Sequence, residues 1–314
     1  MSGFSFFTFE TWGTIHWVMF GFIAQGLIIG VLTTPMIVLL LSKKSYRDRK
    51  EFLLIAFVAI VDFIYVVVNV INSIDRMYTT TISIQLEECL AQPQFFISLI
   101  VTQLVAGMSL MVAFDRLIAS FYGVWYYKQS ALYTFLILIP PIVIGCFVTS
   151  VNSWIVVIYP DQNIKVYSLC FTSTLLAENF KLTFHLTKWV CIALAGIVYV
   201  IIALILRHKY FRSKYMTKRL STANKVMSFT TINSIIFHLF PDIQLAYPFL
   251  GSNTIVVQCI LYSMILDKIF FNFLLFMIFH KELRQMYLKT FLSRFLPIQS
   301  SSGNSQNRMF SLRS

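Results

Sequence analysis

Phe114-Asp115-Arg116-Leu117-Ile118-Ala119-Ser120 is the stretch on which the fold turns. Behind it runs Phe95 to Phe114 without a charged residue, and ahead come Phe121, Tyr122, Trp125, Tyr126, Tyr127 and Lys128. An adjacent acid and arginine are costly to hold in lipid, so the pair marks a place where an apolar helix leaves a membrane.

The rest of the composition agrees. The chain is 58% hydrophobic and 12% charged, with a mean hydropathy of +0.75. Soluble domains carry about 25% charged residues, and no single soluble core could hide so much apolar surface. Long unbroken apolar runs point to helices, since a barrel would show roughly 10-residue alternating segments. The net charge of +12 does not make this a nucleic-acid-binding protein, because its basic residues sit in short segments between apolar runs. The five cysteines form no Cys-x-x-Cys pair and no zinc spacing. The first apolar run is too long for a signal-peptide core and lacks a basic leader, so it is expected to stay as a helix.

Seven apolar helices are expected, at Trp17–Leu41, Phe52–Asn72, Gln92–Ser120, Ala131–Val157, Phe184–Leu206, Val226–Tyr247 and Ile255–Phe279. The 21 residues of the second span about 31 Å, one hydrocarbon core. In helix one, Gly21, Gly26 and Gly30 should allow close packing and Pro35 should kink the helix. Pro140-Pro141 should break helix four. An amphipathic membrane-surface helix is expected at 280–292 and a disordered tail at 293–314. Twenty of the 25 Lys and Arg, with Arg116 counted in, fall on the side of the first, third and fifth connections and the tail, and four, Arg76, Lys165, Lys181 and Lys188, on the other. The positive-inside rule then puts residues 1–16 outside and the tail in the cytoplasm.

Several groups could carry chemistry. Cys89 lies 26 residues before Asp115, about 39 Å of helix, which sets them at opposite ends of one tilted helix. Cys89 and Cys170 both fall in segments assigned outside, where a disulfide could tie the helix-three end to the long connection Ile158–Thr183; the other possibility is two free thiols. Asp62 stands at mid-membrane, where it could share a water or cation with Asn272 or sit protonated in a hydrogen bond. Pro241 removes a backbone donor from helix six and could act as a hinge or a packing kink. Polar residues in the outer halves of the bundle are candidates for a ligand pocket: Ser98, Thr102, Gln103, His238, Asp242, Gln258 and Tyr262. Asp267-Lys268 is either an ion pair or two groups facing different neighbours. No Gly-x-Ser-x-Gly, His-Glu-x-x-His or phosphate loop occurs, so no catalytic site, metal or cofactor is expected.

These marks resemble the rhodopsin-like G-protein-coupled receptors over roughly residues 17–292. Ala59-x-x-Asp62, Cys89 with Cys170, Asp115-Arg116-Leu117, Pro241, and Asn272 to Phe276 followed by a basic helix carry the resemblance. The resemblance implies a G-protein switch of Asp115, Arg116, Asn272, Phe276 and Pro241, in which Arg116 is held by Asp115 at rest and then released. There are departures. Helix one has Thr33-Thr34-Pro35 where the family has an Asn, Trp154 lies near the end of helix four, and helix five has no proline. Leu239 replaces the helix-six tryptophan, and no acid at the inner end of helix six can pair with Arg116. Lys268, four residues before Asn272, does not match a retinal lysine.

A chain that keeps the Asp-Arg pair and loses these marks is similar to the nematode serpentine chemoreceptors. That similarity implies a small-molecule ligand, a heterotrimeric G protein, surrounding membrane lipid, and a plasma-membrane location in sensory cilia. Helix-six movement would transmit the signal. A competing reading is a small transporter or channel with a polar path through Asp62, Asp267 and Lys268, which the odd helix count and the lack of inverted repeats oppose. A third is an accessory membrane protein without a ligand.

Overall fold

The computed structural model describes residues 9–47, 49–78, 83–158, 165–167, 170–210, 228–247 and 255–295. Its long helices are α1 (Phe9–Ser42), α2 (Lys50–Tyr78), α3 (Pro93–Phe121), α4 (Ala131–Ile158), α5 (Glu178–Tyr210), α6 (228–246), α7 (Ile255–Phe279) and α8 (Lys281–Phe295). Among the described residues, α1 to α5 and α7 are each long and apolar enough to cross a membrane. With α6 they form an all-α seven-helix membrane bundle.

α3 is the axis of this bundle. Two-thirds of its most apolar window is buried, against one-third for α1, α4 and α5. Its 29 residues measure about 44 Å, longer than the lipid core, so the helix must tilt or project. α4 and α5 turn apolar side chains outward instead: Phe135, Ile139, Phe147, Val190, Ile197 and Leu204 are exposed, as lipid-facing residues must be.

Close approach between helices depends on small residues. A methyl group on Gly107 would meet Pro141 Cβ at 2.8 Å, and one on Gly26 would strike Val70. Gly30 faces Phe63 at 3.8 Å, but Gly21 has nothing within 4 Å. The expectation for Gly21 is therefore corrected. Five residues from Gly26, it points about 140° around the helix, away from α2.

Other boundaries and breaks are corrected too. α1 begins at Phe9 and α5 at Glu178, α2 runs on to Tyr78, and α8 runs on to Phe295. Hydropathy marks where a helix leaves lipid, not where its backbone hydrogen bonds stop. α4 continues through Pro140-Pro141, since a proline deprives the helix of one donor and neighbouring helices brace the rest. Strands Ser83–Gln85 (β1) and Lys165–Tyr167 (β2) pair antiparallel, with Ile84 opposite Val166, inside connections read as loops. The basic-loop residues Arg212, Lys214, Lys218, Arg219 and Lys225, the turn 248–254, and the tail from 296 lie outside the described residues.

Candidate functional site

Three polar sets lie along the bundle, ordered from the disulfide end to the Arg116 end. At the first end a disulfide joins Cys89 to Cys170, with Cα atoms 5.9 Å apart, an ordinary span for such a bond. Cys170 sits in the left-handed backbone region at φ 43°, a conformation that a non-glycine residue adopts only when held. The disulfide holds it on one side. Arg76 Nη2 donates to its carbonyl at 3.1 Å on the other. The Arg76 guanidinium lies 4.7 Å over the Phe171 ring, and Phe171 stacks on Tyr262.

Beneath this cap, α5 and α6 are clamped by one carboxylate. Lys188 Nζ donates to Asp242 Oδ1 at 2.5 Å, and Trp189 Nε1 donates to Oδ2 at 2.7 Å. His185 Nδ1 lies 2.9 Å from Oδ2. The positions 185, 188 and 189 share one face of α5 because they are three and four residues apart. Asp242 only accepts here, so His185 Nδ1 carries the hydrogen; the Lys188 ammonium already supplies the carboxylate's counter-charge, so the ring is neutral and Nε2 presents its lone pair. That Nε2 is buried and has no partner.

A small cleft opens beside the clamp, lined by Tyr65, Thr102, Thr172, His185, Lys188 and Asp242, with Leu245, Tyr262 and Ile265. Of the pocket candidates, Thr102, Asp242 and Tyr262 line it. Ser98, Gln103, His238 and Gln258 do not line it. Gln103 donates its amide to the Phe184 carbonyl at 2.9 Å. Ser98 lies one turn further along α3, with its carbonyl accepting from Thr102. His238 lies one turn below Asp242, and Gln258 one turn beyond Tyr262. Sequence reasoning missed His185, Lys188 and Trp189. Their His-x-x-Lys-Trp spacing was the available signal.

His238 belongs to a π-helical turn, Ile235–Leu239, that runs straight into Phe240-Pro241. Pro241 has no N–H for the carbonyl four residues back, and its ring crowds that carbonyl, so the helix widens. The helix-six kink expected from Pro241 therefore takes the form of a wide turn just below the clamp.

In the middle set, Lys268 Nζ lies 3.5 Å from Asp62 Oδ1, and Asn272 Nδ2 donates to Asp62 Oδ2 at 3.3 Å. Asn233 Nδ2 donates to Asn272 Oδ1 and to the Lys268 carbonyl, both at 2.8 Å. A small cavity adjoins these groups, walled by Ser109, Tyr199, Thr231, Ser234 and Phe276. The Lys268 side chain thus stands beside Asp62, where the sequence left open a shared water or cation or a protonated, hydrogen-bonded carboxyl. Asp267 takes its hydrogen bond from Gln25 of α1 at 2.7 Å. Asp267 and Lys268 therefore face different neighbours.

The third set surrounds Arg116, which is 1% exposed. Its Nε lies 3.5 Å from Asp115 Oδ2 and its Nη1 lies 3.7 Å from Glu51 Oε1 of α2. None of its three nitrogens makes a hydrogen bond. The second acid beside Arg116 is Glu51 of α2, where the inner end of helix six offers none. Tyr126 donates to Asp115 Oδ2 at 3.1 Å, and Lys50 Nζ reaches the Tyr126 carbonyl and covers its ring at 4.8 Å. Burial pushes the Tyr126 phenol well above its ordinary range, so it stays a donor. Nearby, α8 is fastened by Arg49 to Glu282 at 3.0 Å and by Tyr287 to the Leu32 carbonyl at 3.0 Å.

A family model described as serpentine type 7TM GPCR chemoreceptor Srsx matches residues 27–291 of the chain. No curated protein matches it.

Proposed function

Because this chain belongs to the serpentine type 7TM GPCR chemoreceptor Srsx family, we propose that it binds a small extracellular molecule in the cleft beside Asp242. The bound molecule then shifts α6 so that a heterotrimeric G protein docks at the Arg116 end. In this reading the disulfide end faces outside, and the receptor sits in the plasma membrane of a sensory cilium.

The observation that carries the reading is the clamp. Asp242 of α6 takes donors from three side chains of α5, and Pro241 with the π turn lies directly below. A molecule entering the cleft touches His185, Lys188 and Asp242 together. It can therefore favour one α5–α6 arrangement over another, the condition a switching ligand must meet. At the other end Arg116 is attracted by two carboxylates without a hydrogen bond to either, so its release breaks no directional contact. Asp115, Asn272 and Phe276 complete the switch on α3 and α7.

The test has two parts. Epitope tags at each end, stained before and after permeabilisation, should show the N-terminus on intact cells and the C-terminus only in opened ones. Arg116→Ala should abolish nucleotide exchange on an added G protein and leave receptor at the surface. Retained exchange would sink the mechanism.

A further inference from the structure

A buried carboxylate at the ligand-facing end of a receptor bundle invites the idea of a cationic amine ligand. The side chains around Asp242 argue otherwise. Its Oδ1 is taken by the Lys188 ammonium at 2.5 Å, and its Oδ2 by Trp189 and His185 at 2.7 and 2.9 Å. The carboxylate has one full counter-charge from its own chain, and each oxygen already accepts. An entering ammonium would have to displace Lys188 into a site where that second charge has no carboxylate left. An entering anion would add a charge to a pair that is already neutral. The charges along this wall of the cleft close without a ligand.

What remains open is one acceptor. His185 is 3% exposed and lines the cleft. With its Nδ1 hydrogen committed to Asp242, its Nε2 lone pair has no partner. A buried acceptor left unpaired is a standing cost that a ligand hydrogen can remove. The lining also includes Leu245, Ile265 and the Tyr262 ring, which suit an apolar body. We infer that this receptor takes a small uncharged molecule bearing a hydroxyl or N–H donor, which it gives to His185 Nε2 while its apolar part lies on Leu245, Ile265 and Tyr262. The inference rests on the cleft being the ligand site.

Tethering tests it without a known ligand. In the full chain, Thr102→Cys places a thiol in the cleft wall, with Cys146, Cys191 and Cys259 replaced by Ala. Disulfide-forming reagents with two- to four-carbon arms ending in hydroxyl, methyl, ammonium or sulfonate are equilibrated against a reductant. Intact mass reads the fraction retained at each reductant concentration. The hydroxyl arm should survive about tenfold more reductant than the methyl arm, the effect of one buried hydrogen bond. His185→Phe, which keeps the ring and loses the acceptor, should erase that difference. Lys188→Met should transfer the preference to the ammonium arm, which replaces the lost charge. An ammonium or sulfonate arm retained best in the unaltered cleft would overturn the ligand class and leave the site standing. So would a hydroxyl advantage that persists in His185→Phe. If no arm modifies the introduced thiol while Cys146, restored as an exposed control, is labelled, the cleft is closed and the site reading fails with it.

Discussion

The two ends of the bundle treat buried charge in opposite ways. At the disulfide end one carboxylate takes three hydrogen bonds of 2.5 to 2.9 Å. At the other end Arg116, equally buried, stands 3.5 and 3.7 Å from its two carboxylates and hydrogen-bonds to neither. A charge pair with short directional contacts fixes one geometry, and a pair held by attraction alone tolerates several. Under the proposed function, the first arrangement suits an end that discriminates between molecules and the second an end that lets go. Between them lie the wide turn of α6 and the Asp62–Lys268–Asn272 network.

The contrast is most exposed to attack at the clamp. Lys188→Met would strand the Asp242 carboxylate with His185 and Trp189. Removing one partner of a buried pair costs about 3 to 5 kcal/mol, so thermal unfolding of the purified chain should move sharply down. Adding Asp242→Leu should recover most of the loss, because no charge is then left uncompensated. If the single change is silent, the clamp is not the tight end. Next in size is the cap. Cys170→Ser frees a loop of 81 residues' separation and a backbone held at positive φ, and should cost about 2 to 4 kcal/mol. Reductant should reproduce the loss in the native chain and do nothing further to the variant.

Glu51→Gln attacks the loose end and should have a smaller effect of a different kind. Glu51 is partly exposed and its contact with Arg116 is long, so its loss is worth about 0.5 to 1 kcal/mol. Stability should barely move. Basal nucleotide exchange should rise about two- to fivefold, the same energy read as a shift between resting and released Arg116. Unchanged basal exchange, or a stability loss as large as that of Lys188→Met, would remove the distinction between the ends.

The sequence declared the frame and hid these partnerships. Seven apolar runs and the Asp115-Arg116 boundary were legible because lipid demands a continuous apolar length. Lys188 was not, because a lysine near the start of an apolar run reads as a charge left outside it. Its acid lies 54 residues away on another helix, and no local pattern connects them. Glu51 was missed for a related reason: it stands at the mouth of α2 among basic residues and reads as part of a solvated loop. The strands β1 and β2 have three residues each, too few for an alternating pattern to show. Thr102, Asp242 and Tyr262 line the cleft whereas Ser98, His238 and Gln258, each one turn away on the same face, do not, since helix phase is visible in sequence and depth along the bundle is not.

The smallest effect is expected where α8 leaves the bundle. The His280 ring lies 5.7 Å from the Phe52 ring and 6.5 Å from that of Phe276, and its Nε2 has no partner. Burial lowers its pKa below the ordinary 6.5, although Glu51 and Glu282 pull the other way. Because the folded value lies below the unfolded one, the unfolded chain takes up the proton first as pH falls. This residue costs no stability above about pH 6.5. Its cost grows as pH drops through that value toward the folded pKa, with a slope of at most about 1.4 kcal/mol per pH unit. His280→Phe keeps an aromatic ring and removes the proton site. Its unfolding temperature should match that of the native chain at pH 7.5 and exceed it slightly at pH 5.5. The order of the tests follows from where each group sits: the Lys188 change breaks a pair sealed from water, whereas His280 lies at a half-buried joint where protonation can be partly solvated. Equal pH slopes in both proteins would mean that the α8 joint relaxes freely on protonation and belongs, like Arg116, to the loosely held end.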